Sequence, residues 1–183
     1  MAKRMLSEFE SYDLLKQYGV PVPDHVVVKT AAEAGKAAEK IGFPVVMKIY
    51  SPQIVHKSDA GGVIVSIPSK SAAEEAFEKI VKSAKAYNPE AEIKGVIVEQ
   101  QAAPGLELII GGKTDPAFGK VLTFGMGGTL VELMRDVTLR ILPITEETIR
   151  EMIQEIHGYP MIKGYRGTKP RDEEALVQIM WAV

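Results

Sequence analysis

Residues 45–67, VVMKIYSPQIVHKSDAGGVIVSI, are the most informative stretch of this 183-residue chain. Apolar and β-branched residues at both ends of the stretch predict two strands, Val45–Tyr50 and Gly62–Ile67. Between these strands, a pair of glycines follows small polar residues, which is typical of a tight turn. The stretch therefore predicts a β-hairpin that carries a lysine, Lys48, inside its first strand.

Helix and strand signals on both sides of the hairpin predict one compact α+β unit. Predicted helices begin at Ser7, Thr30 and Ser71, because each of these residues is followed three positions later by a glutamate that completes a capping box. Further β-branched runs predict strands at Val26–Val28 and Gly95–Gln101. From the first of these strands onwards, the predicted order is β-α-β-β-α-β, a two-layer arrangement of about 75 residues.

A second predicted lobe follows Pro104. Its predicted elements are strands at Leu106–Gly111, Gly119–Phe124 and Val137–Leu142, a helix from Thr145 to Ile156, a polar loop over Gly158–Pro170, and a last helix capped by Asp172. The chain as given ends inside that last helix without a stop signal, so we expect an incomplete C-terminus.

Composition restricts the classes of function. Hydrophobic residues make up 46% of the chain and charged residues 25%, as in ordinary globular proteins. The formal net charge is -2 and no basic stripe is present, so nucleic acid is not an expected partner. The chain has no cysteine and therefore no disulfide. Without a signal peptide or an apolar run of about 20 residues, we expect a cytoplasmic protein that does not enter a membrane.

Lys48 and the glycine turn together indicate a phosphate site, although each has a simpler interpretation. A strand lysine between large apolar residues either extends its ammonium group to solvent or directs it at an anion. A Gly-Gly pair is either a plain hairpin turn or a turn whose amides face a phosphate. The spacing fits neither a Walker A loop nor a dinucleotide fingerprint, so we expect a flap laid over phosphates. His56, in the same turn, is either an inert surface residue or a phosphoryl acceptor, because neutral imidazole is nucleophilic near pH 7.

Charged residues further along the chain add candidates. Glu99 and Glu107 flank the predicted connection between the lobes, where carboxylates are well placed to bind adenine and ribose; alternatively, both are solvent-facing strand residues. Arg140 lies between apolar residues and needs an anion. That anion is either Glu132, in a buried ion pair, or a terminal phosphate or developing oxyanion. His157 ends a predicted helix and is interpreted as a partner of the helix dipole.

The motifs as a set resemble a known family. The chain is similar to the nucleotide-binding subunit of the ADP-forming acetyl-CoA synthetases, which are acetate–CoA ligases related to succinyl-CoA synthetase. The similarity rests on Lys48, Ser51–Val63, Val98–Gln100, Gly105–Glu107, Gly125–Glu132, Asp136–Val137, Arg140 and Gly164–Gly167. The block His-Lys-Ser-Asp-x-Gly-Gly-Val that begins at His56 is the part most specific to this family.

The resemblance implies a two-lobed ATP-grasp fold of the α+β class. Residues 20–102 would form the N-terminal lobe, and residues 1–19 plus 103–183 a truncated C-terminal lobe. It also implies the reaction acetyl-CoA + ADP + phosphate ⇌ acetate + CoA + ATP, with Mg²⁺ as a cofactor. The implied partner is a CoA-binding alpha subunit, in an alpha2beta2 complex, whose phosphohistidine carries the phosphoryl group to this subunit.

The resemblance also implies roles for individual residues. Lys48 corresponds to a phosphate-contacting strand lysine, and Glu107 to a ribose-contacting carboxylate. The phosphate flap corresponds to Ala60, Gly61, Gly62 and Val63, and the adenine hinge to Glu99 and Gln100. His56 corresponds to a histidine that relays the phosphoryl group, and Arg140 is the second catalytic candidate.

The family's metal ligands, an acidic residue and an asparagine, have no counterpart in these 183 residues. We expect them beyond Val183 and assign no metal ligand. Two other functions stay open: a different ATP-grasp ligase that forms an acyl phosphate without a phosphohistidine partner, and a non-catalytic nucleotide-binding module.

Overall fold

A computed structural model describes residues 6–128 and 135–183 of the chain. The described residues form two compact units. The first contains residues 6–16 and Pro21–Ala103, and the second contains Gln17–Val20 and the described part of Pro104–Val183. Each unit has its own antiparallel sheet and its own hydrophobic core. The predicted α+β class is therefore confirmed.

The first unit pairs helices with a four-stranded sheet. Its elements are α1 (Glu8–Gln17, of which residues 8–16 belong to this unit), β1 (His25–Val28), α2 (Ala31–Ile41), β2 (Val45–Tyr50), β3 (Val63–Ile67), α3 (Lys70–Tyr87) and β4 (Gly95–Gln100). The strands are ordered β1-β4-β2-β3, with antiparallel neighbours throughout. The predicted order β-α-β-β-α-β is confirmed.

Of the three predicted capping boxes, the one in α1 forms completely, and the one in α2 forms only its Thr30 cap, because the Glu33 carboxylate accepts from the Lys29 N–H instead of the Thr30 N–H. In α1, the Glu10 carboxylate accepts a hydrogen bond from the backbone N–H of Ser7 at 2.9 Å, and the Ser7 hydroxyl accepts one from the Glu10 N–H at 3.2 Å. In α2, the Thr30 side chain accepts a hydrogen bond from the Glu33 N–H at 3.2 Å. Because these bonds satisfy amides that have no partner within the helix, they determine where each helix begins.

Helix α3 begins earlier than the sequence pattern predicts. Its N-cap is Ser69, whose hydroxyl accepts a hydrogen bond from the Ala72 N–H at 3.3 Å. The predicted cap, Ser71, lies inside the helix instead. Since both serines can accept this type of bond, the chain takes the one that follows directly after β3 and Pro68.

Helices α2 and α3 pack on one face of the sheet. Small residues such as Ala38 and Ala76 are buried on these helices, which brings the helix backbones close to strand side chains such as Met47 and Val98. The opposite face of the sheet carries the alternate strand residues, among them Lys48. The core of this unit therefore leaves Lys48 on the sheet face away from α2 and α3.

Helix α1 contacts that second face. Tyr12 donates a hydrogen bond to Glu99 of β4 at 3.0 Å, and Glu8 binds Lys48 of β2. Residues 6–16 therefore belong to the first unit. This grouping differs from the expected one, in which residues 1–19 join the second lobe, because side chains of α1 pair with charged residues of the first sheet.

The second unit has a three-stranded antiparallel sheet in the order β5-β6-β7. Its elements are β5 (Leu108–Asp115), β6 (Gly119–Met126), β7 (Val137–Ile141), α4 (Glu146–Glu155), α5 (Tyr159–Lys163) and α6 (Glu173–Ala182). The core brings together strand and helix residues, including Phe124, Ile149, Met152 and Ile162. The predicted polar loop over Gly158–Pro170 is wrong in part, because α5 forms within it and buries Ile162.

Candidate functional site

Lys48 and Glu99 form an ion pair on the first sheet. The Lys48 Nζ is 2.7 Å from the Glu99 Oε1. Their strands are neighbours, with Lys48 opposite Ile97 and Glu99 opposite Val46. Glu99 is buried, with an exposed fraction of 7%, and a buried carboxylate needs a cation or hydrogen-bond donors. The alternative in which Glu99 is a solvent-facing strand residue is therefore wrong.

Glu8 of α1 joins this pair to a second lysine. Its Oε1 is 2.7 Å from the Lys48 Nζ, and its Oε2 pairs with the ammonium group of Lys57. The Tyr12 hydroxyl, one turn further along α1, lies 3.0 Å from an oxygen of Glu8 and 3.0 Å from an oxygen of Glu99, so its single proton is shared between the two carboxylates. Two lysines, two carboxylates and one phenol thus form a single network, which we call the Lys48 cluster.

The members of the Lys48 cluster stabilise one another's charge states. Burial alone would raise the pKa of Glu8, but hydrogen bonds and charges from Lys48 and Lys57 lower it from 4.5 to about 2. Burial alone would lower the pKa of Lys48, but Glu8 and Glu99 raise it above 10.5. Burial and the two carboxylates raise the pKa of Tyr12. Near neutral pH, Glu8 is therefore ionised, Lys48 is charged and Tyr12 is a proton donor.

Sequence patterns did not single out Glu8, Tyr12 or Lys57 as site residues. Glu8 lies in the first turn of α1, where an acidic residue is explained by the helix dipole alone. Its partner Lys48 is 40 positions away in the chain. No local spacing rule connects residues that far apart, so only the folded chain shows the contact.

The predicted phosphate flap is the turn between β2 and β3. The backbone N–H groups of Ala60, Gly61 and Gly62 donate to carbonyl oxygens inside the same turn, over distances of 2.8 to 3.3 Å. Val63 begins β3 and pairs with Lys48 across the hairpin. In this conformation the three amides already have partners, so binding a phosphate through them requires the turn to rearrange.

Both glycines of the flap are required by its geometry. Gly61 has a φ of 60°, in the left-handed region that favours glycine. A Cβ on Gly62 would lie 2.5 Å from the Ile49 side chain. The Gly-Gly pair therefore makes a tight turn that presses against β2, which is the hairpin that the sequence predicts.

His56 and Gln100 occupy exposed ends of these elements. His56 is exposed at the start of the flap turn, beside Lys57, so its imidazole is accessible to a ligand or a partner. Gln100 ends β4, and its backbone N–H donates to the Asp24 carbonyl oxygen at 2.8 Å. The predicted roles of both residues remain predictions.

Glu107 lies in the second unit against the glycine-rich turn that follows β6. Its carbonyl oxygen accepts a hydrogen bond from the Gly127 N–H at 2.7 Å. A Cβ on Gly128 would be 2.4 Å from the Glu107 Oε2, so the glycine lets this carboxylate lie directly against the turn. The Glu107 side chain is itself exposed and available to a ligand.

Arg140 also lies in the second unit, on β7. Its guanidinium group pairs with Glu155 of α4 and donates to the Leu139 carbonyl oxygen at 3.0 Å. Glu132, the partner considered from the sequence, lies outside the described residues. The anion that Arg140 needs is thus Glu155 of the predicted helix, and the catalytic role of Arg140 stays a prediction.

Asp136 is a buried carboxylate that was not among the predicted site residues. Its exposed fraction is 6%, and it accepts hydrogen bonds from the backbone N–H groups of His157 and Gly158 at 2.8 and 2.7 Å. Burial alone would raise the pKa of Asp136, but these N–H groups and the His157 ring lower it. His157 thus contacts Asp136 through its Nδ1 at 3.1 Å, a partner that its predicted helix-dipole role did not include.

The described residues hold neither a metal-binding cluster nor a membrane-spanning helix. No three side chains of the histidine, cysteine, aspartate or glutamate type come together there in a way that could hold a metal ion. Across residues 6–128 and 135–183, no helix combines the length and apolar character needed to cross a membrane.

Comparison with known proteins agrees with this fold. The model of the ATP-grasp domain family matches residues 1–183, so the chain is an ATP-grasp domain. It is 48% identical over 176 residues to the beta subunit of ADP-forming acetate–CoA ligase II from Pyrococcus furiosus, covering 96% of this chain and 75% of that subunit. The chain belongs to the family of ADP-forming acetate–CoA ligase beta subunits.

Other relatives are longer chains or solved structures. The chain is 50% identical over 167 residues to the ADP-forming 4-hydroxybutyrate–CoA ligase of Nitrosopumilus maritimus, covering 91% of this chain but only 24% of that ligase. A structure of acetyl-coenzyme A synthetase 1 from Ca. Korarchaeum cryptofilum, with coenzyme A and Ca-AMPCP, has a TM-score of 0.92 and 43% identity, covering 97% of this chain and 78% of that one.

A second structure of the Korarchaeum protein holds coenzyme A and Mg-AMPPCP, with its phosphohistidine segment pointing towards the nucleotide binding site. It has a TM-score of 0.82 and 38% identity, covering 97% of this chain and 76% of that one. The two-lobed ATP-grasp fold expected from the sequence is confirmed by these matches.

Proposed function

We propose that this chain is the nucleotide-binding subunit of an ADP-forming acyl-CoA ligase that catalyses acetyl-CoA + ADP + phosphate ⇌ acetate + CoA + ATP. The observation that carries the proposal is the contact between Lys48 and Glu99, 2.7 Å apart on neighbouring strands. The resemblance assigns one of these residues to the phosphates and the other to the adenine hinge. Their contact supports a single nucleotide site on this face of the first sheet.

Lys48 supplies a permanent positive charge for phosphoryl transfer. Its pKa is raised by Glu8 and Glu99, so the ammonium group stays protonated at any physiological pH. Phosphoryl transfer needs little covalent help from the protein and depends on positioning and on charge neutralisation. In this proposal Lys48 offsets phosphate charge, while Glu99 and Gln100 orient the base and Glu107 binds the ribose.

His56 carries the phosphoryl group in two steps. In the first, an imidazole nitrogen of His56 attacks the phosphorus of the partner's phosphohistidine; a P–N bond forms on His56 and the P–N bond on the partner breaks. In the second, a terminal oxygen of ADP attacks the same phosphorus, forming the P–O bond of ATP and releasing His56. The exposure of His56 in the flap turn supports this role, because a residue that meets two substrates must be accessible.

The partner is a CoA-binding alpha subunit, in an alpha2beta2 complex. The relatives that share this domain are named for different acids, acetate and 4-hydroxybutyrate. This supports an arrangement in which the choice of acid rests mainly on the partner, whereas this chain handles the nucleotide. We also propose a cytoplasmic location, since a chain without cysteine suits a reducing compartment.

Mg²⁺ is the proposed metal cofactor, bound together with the nucleotide. When bound, it would neutralise phosphate charge. Mg²⁺ usually binds proteins through only one or two carboxylates plus substrate phosphates. Since no three-residue cluster of suitable side chains occurs among the described residues, we assign no ligand to it. Arg140 and the flap residues Ala60 to Val63 complete the proposed set of phosphate contacts.

A phosphoryl-transfer assay tests this proposal. The alpha subunit is first labelled on its histidine with acetyl-CoA and radioactive phosphate, and this chain and ADP are then added. We expect labelled ATP to form only when both this chain and ADP are present. Formation of an acyl phosphate from ATP without the alpha subunit would identify a different ligase, and nucleotide binding without transfer in the complete complex would identify a binding module.

A further inference from the structure

The Lys48 cluster has no net charge in this structure. Its charged members are Lys48, Lys57, Glu8 and Glu99, two positive and two negative. A phosphate is attracted by uncompensated positive charge, and here the compensation is already complete. A phosphate that binds Lys48 must therefore replace one of the carboxylates.

Glu8 is the carboxylate that is easier to replace. Glu99 is 7% exposed and lies within β4, in the middle of the sheet. The Glu8 side chain is 20% exposed and belongs to α1, a helix with no fully buried residue. Moving Glu8 thus disturbs an element at the surface, whereas moving Glu99 would disrupt the central strands.

We propose that Lys48 and Lys57 form a two-lysine site for a phosphoryl group, and that Glu8 occupies this site until the phosphoryl group displaces it. This inference rests on the proposed nucleotide function. It adds Lys57 as a second phosphate-binding cation and α1 as the element that controls access to the site.

The geometry of Glu8 supports this assignment. One of its oxygens binds Lys48 and the other binds Lys57, so the carboxylate bridges the two ammonium groups. A phosphoryl group presents charged oxygens in the same way and carries more charge, so it makes stronger bonds with the same two cations. Lys57 also directly follows His56, which places a cation beside the proposed phosphoryl acceptor.

Space for the exchange lies next to the bridge. A cavity of about 310 Å³ is lined by both Glu8 and Lys57 and also by Tyr50 and Lys94. It gives an anion a route to Lys57 without crossing the hydrophobic core. After Glu8 leaves, the Tyr12 hydroxyl can donate its single proton to Glu99 alone, because it already lies 3.0 Å from that carboxylate.

The expected effect is a lower apparent affinity in the wild-type chain. When only a fraction of molecules has the binding-competent arrangement, the apparent dissociation constant rises in inverse proportion to that fraction. Removing the Glu8 charge while keeping its shape makes the two lysines available. We expect Glu8→Gln to bind ADP and inorganic pyrophosphate about tenfold more tightly than the wild type does. This factor corresponds to a wild-type chain in which Glu8 leaves the two lysines free in roughly one tenth of the molecules.

Calorimetric titration with ADP and pyrophosphate tests this. The matched control is Asp13→Asn, which removes the same charge from an exposed position on the same helix, and we expect its affinities to equal those of the wild type. In a Lys57→Met background, Glu8→Gln should lose most of its gain, because only one cation is left to release.

The wild-type chain supplies a second measurement that needs no variant. Hydrogen exchange of the amides in α1 should become faster when pyrophosphate binds, since Glu8 loses its contacts. Unchanged or slower exchange in α1 on binding would overturn the displacement.

The two proposals fail in different ways. If wild type and Glu8→Gln bind ADP equally well, or if the variant binds it more weakly, the site inference is overturned while the nucleotide function stands. If neither binds ADP, both are overturned.

Discussion

Glu99 reaches Lys48 from the neighbouring strand, so that its buried carboxylate lies 2.7 Å from the Lys48 ammonium group. This contact links the stability of the first sheet to the charge that the proposed function needs. A change at Lys48 therefore acts on folding and on binding at once, and the two effects can be measured separately.

Replacing Lys48 with methionine should weaken both properties. We expect ADP affinity to fall by about 10- to 100-fold, because a charge-assisted hydrogen bond contributes roughly 1.5–3 kcal/mol. The free energy of unfolding should also fall by about 3 kcal/mol, since Glu99 is left buried without a cation. Calorimetry measures the first effect and urea denaturation the second.

The control for this variant is Lys70→Met. Lys70 pairs with Glu39 at the surface, where the side chains are 48% and 61% exposed. An exposed pair of this kind adds little stability, so both properties should stay near the wild-type values. Unchanged ADP affinity in Lys48→Met would remove this residue from the nucleotide site.

His56→Ala should separate binding from transfer. Because His56 is exposed, we expect an unchanged free energy of unfolding and an ADP affinity within a few-fold of the wild type. The transfer of label from the alpha subunit to ADP should be lost, since no nitrogen is left to accept the phosphoryl group. Val55→Ala, at a neighbouring position that is 59% exposed, serves as the control and should transfer label normally. Normal turnover in His56→Ala would rule out the relay.

The contribution of Glu8 to the free energy of unfolding should decrease at acidic pH. Lys48 and Lys57 lower the pKa of Glu8 from 4.5 to about 2 in the folded chain. A carboxyl group whose pKa is lower in the folded chain than in the unfolded chain stabilises the fold at pH values above its unfolded pKa. For Glu8, this contribution is lost as the pH falls from 4.5 towards 2. The lowering corresponds to at most about 3 kcal/mol, and partial exposure reduces it to about 1–2 kcal/mol.

Comparing the wild type with Glu8→Gln by urea denaturation measures this contribution. The difference in unfolding free energy should be largest near pH 7 and should shrink below pH 4. A difference of equal size at both pH values would mean that the Glu8 charge is not its source.

Replacing a strand glycine of the second sheet with alanine should change the unfolding free energy differently at two positions. A Cβ on Gly125 would lie 2.3 Å from the Asp136 carbonyl oxygen and 2.9 Å from the Val137 Cα. These are backbone atoms that cannot turn aside, so Gly125→Ala should lower the unfolding free energy by about 2–3 kcal/mol. Around Gly111, on the adjacent strand, a Cβ would meet nothing within 4 Å. Gly111→Ala should be neutral or slightly stabilising, and thermal denaturation of both variants would show whether close packing is the cause.

Local signals predicted most of the secondary structure. The bounds of β2, Val45–Tyr50, agree with the prediction, because a β-branched run between turn residues is a complete local signal. Asp172 caps the last helix as predicted, accepting a hydrogen bond from the Ala175 N–H at 2.9 Å. The predicted start of α3 is two residues late. Ser69 and Ser71 carry the same N-cap signal, and only the path of the chain after β3 decides which serine caps the helix.

The site was less predictable than the fold. Lys48 and Glu99 were candidates from their strands and from the family resemblance, and the structure brings them together. Glu8 and Asp136 act through contacts with residues distant in the chain; Glu8 belongs to no pattern that indicates a site, and Asp136 belongs only to the family resemblance, which assigns it no role. The contact between α1 and the sheet therefore could not be predicted from the sequence. For the same reason, the charge balance of the Lys48 cluster could not be predicted either.

Strand β7 has a consequence for how the protein behaves at high concentration. It is an edge strand of the sheet that the structure describes, and its outward side chains Val137, Leu139 and Ile141 are 39%, 52% and 52% exposed. An exposed apolar edge is a template for pairing with another chain. Preparations of this chain alone should therefore aggregate through β7, and a single charge placed there, as in Leu139→Lys, should keep them in solution.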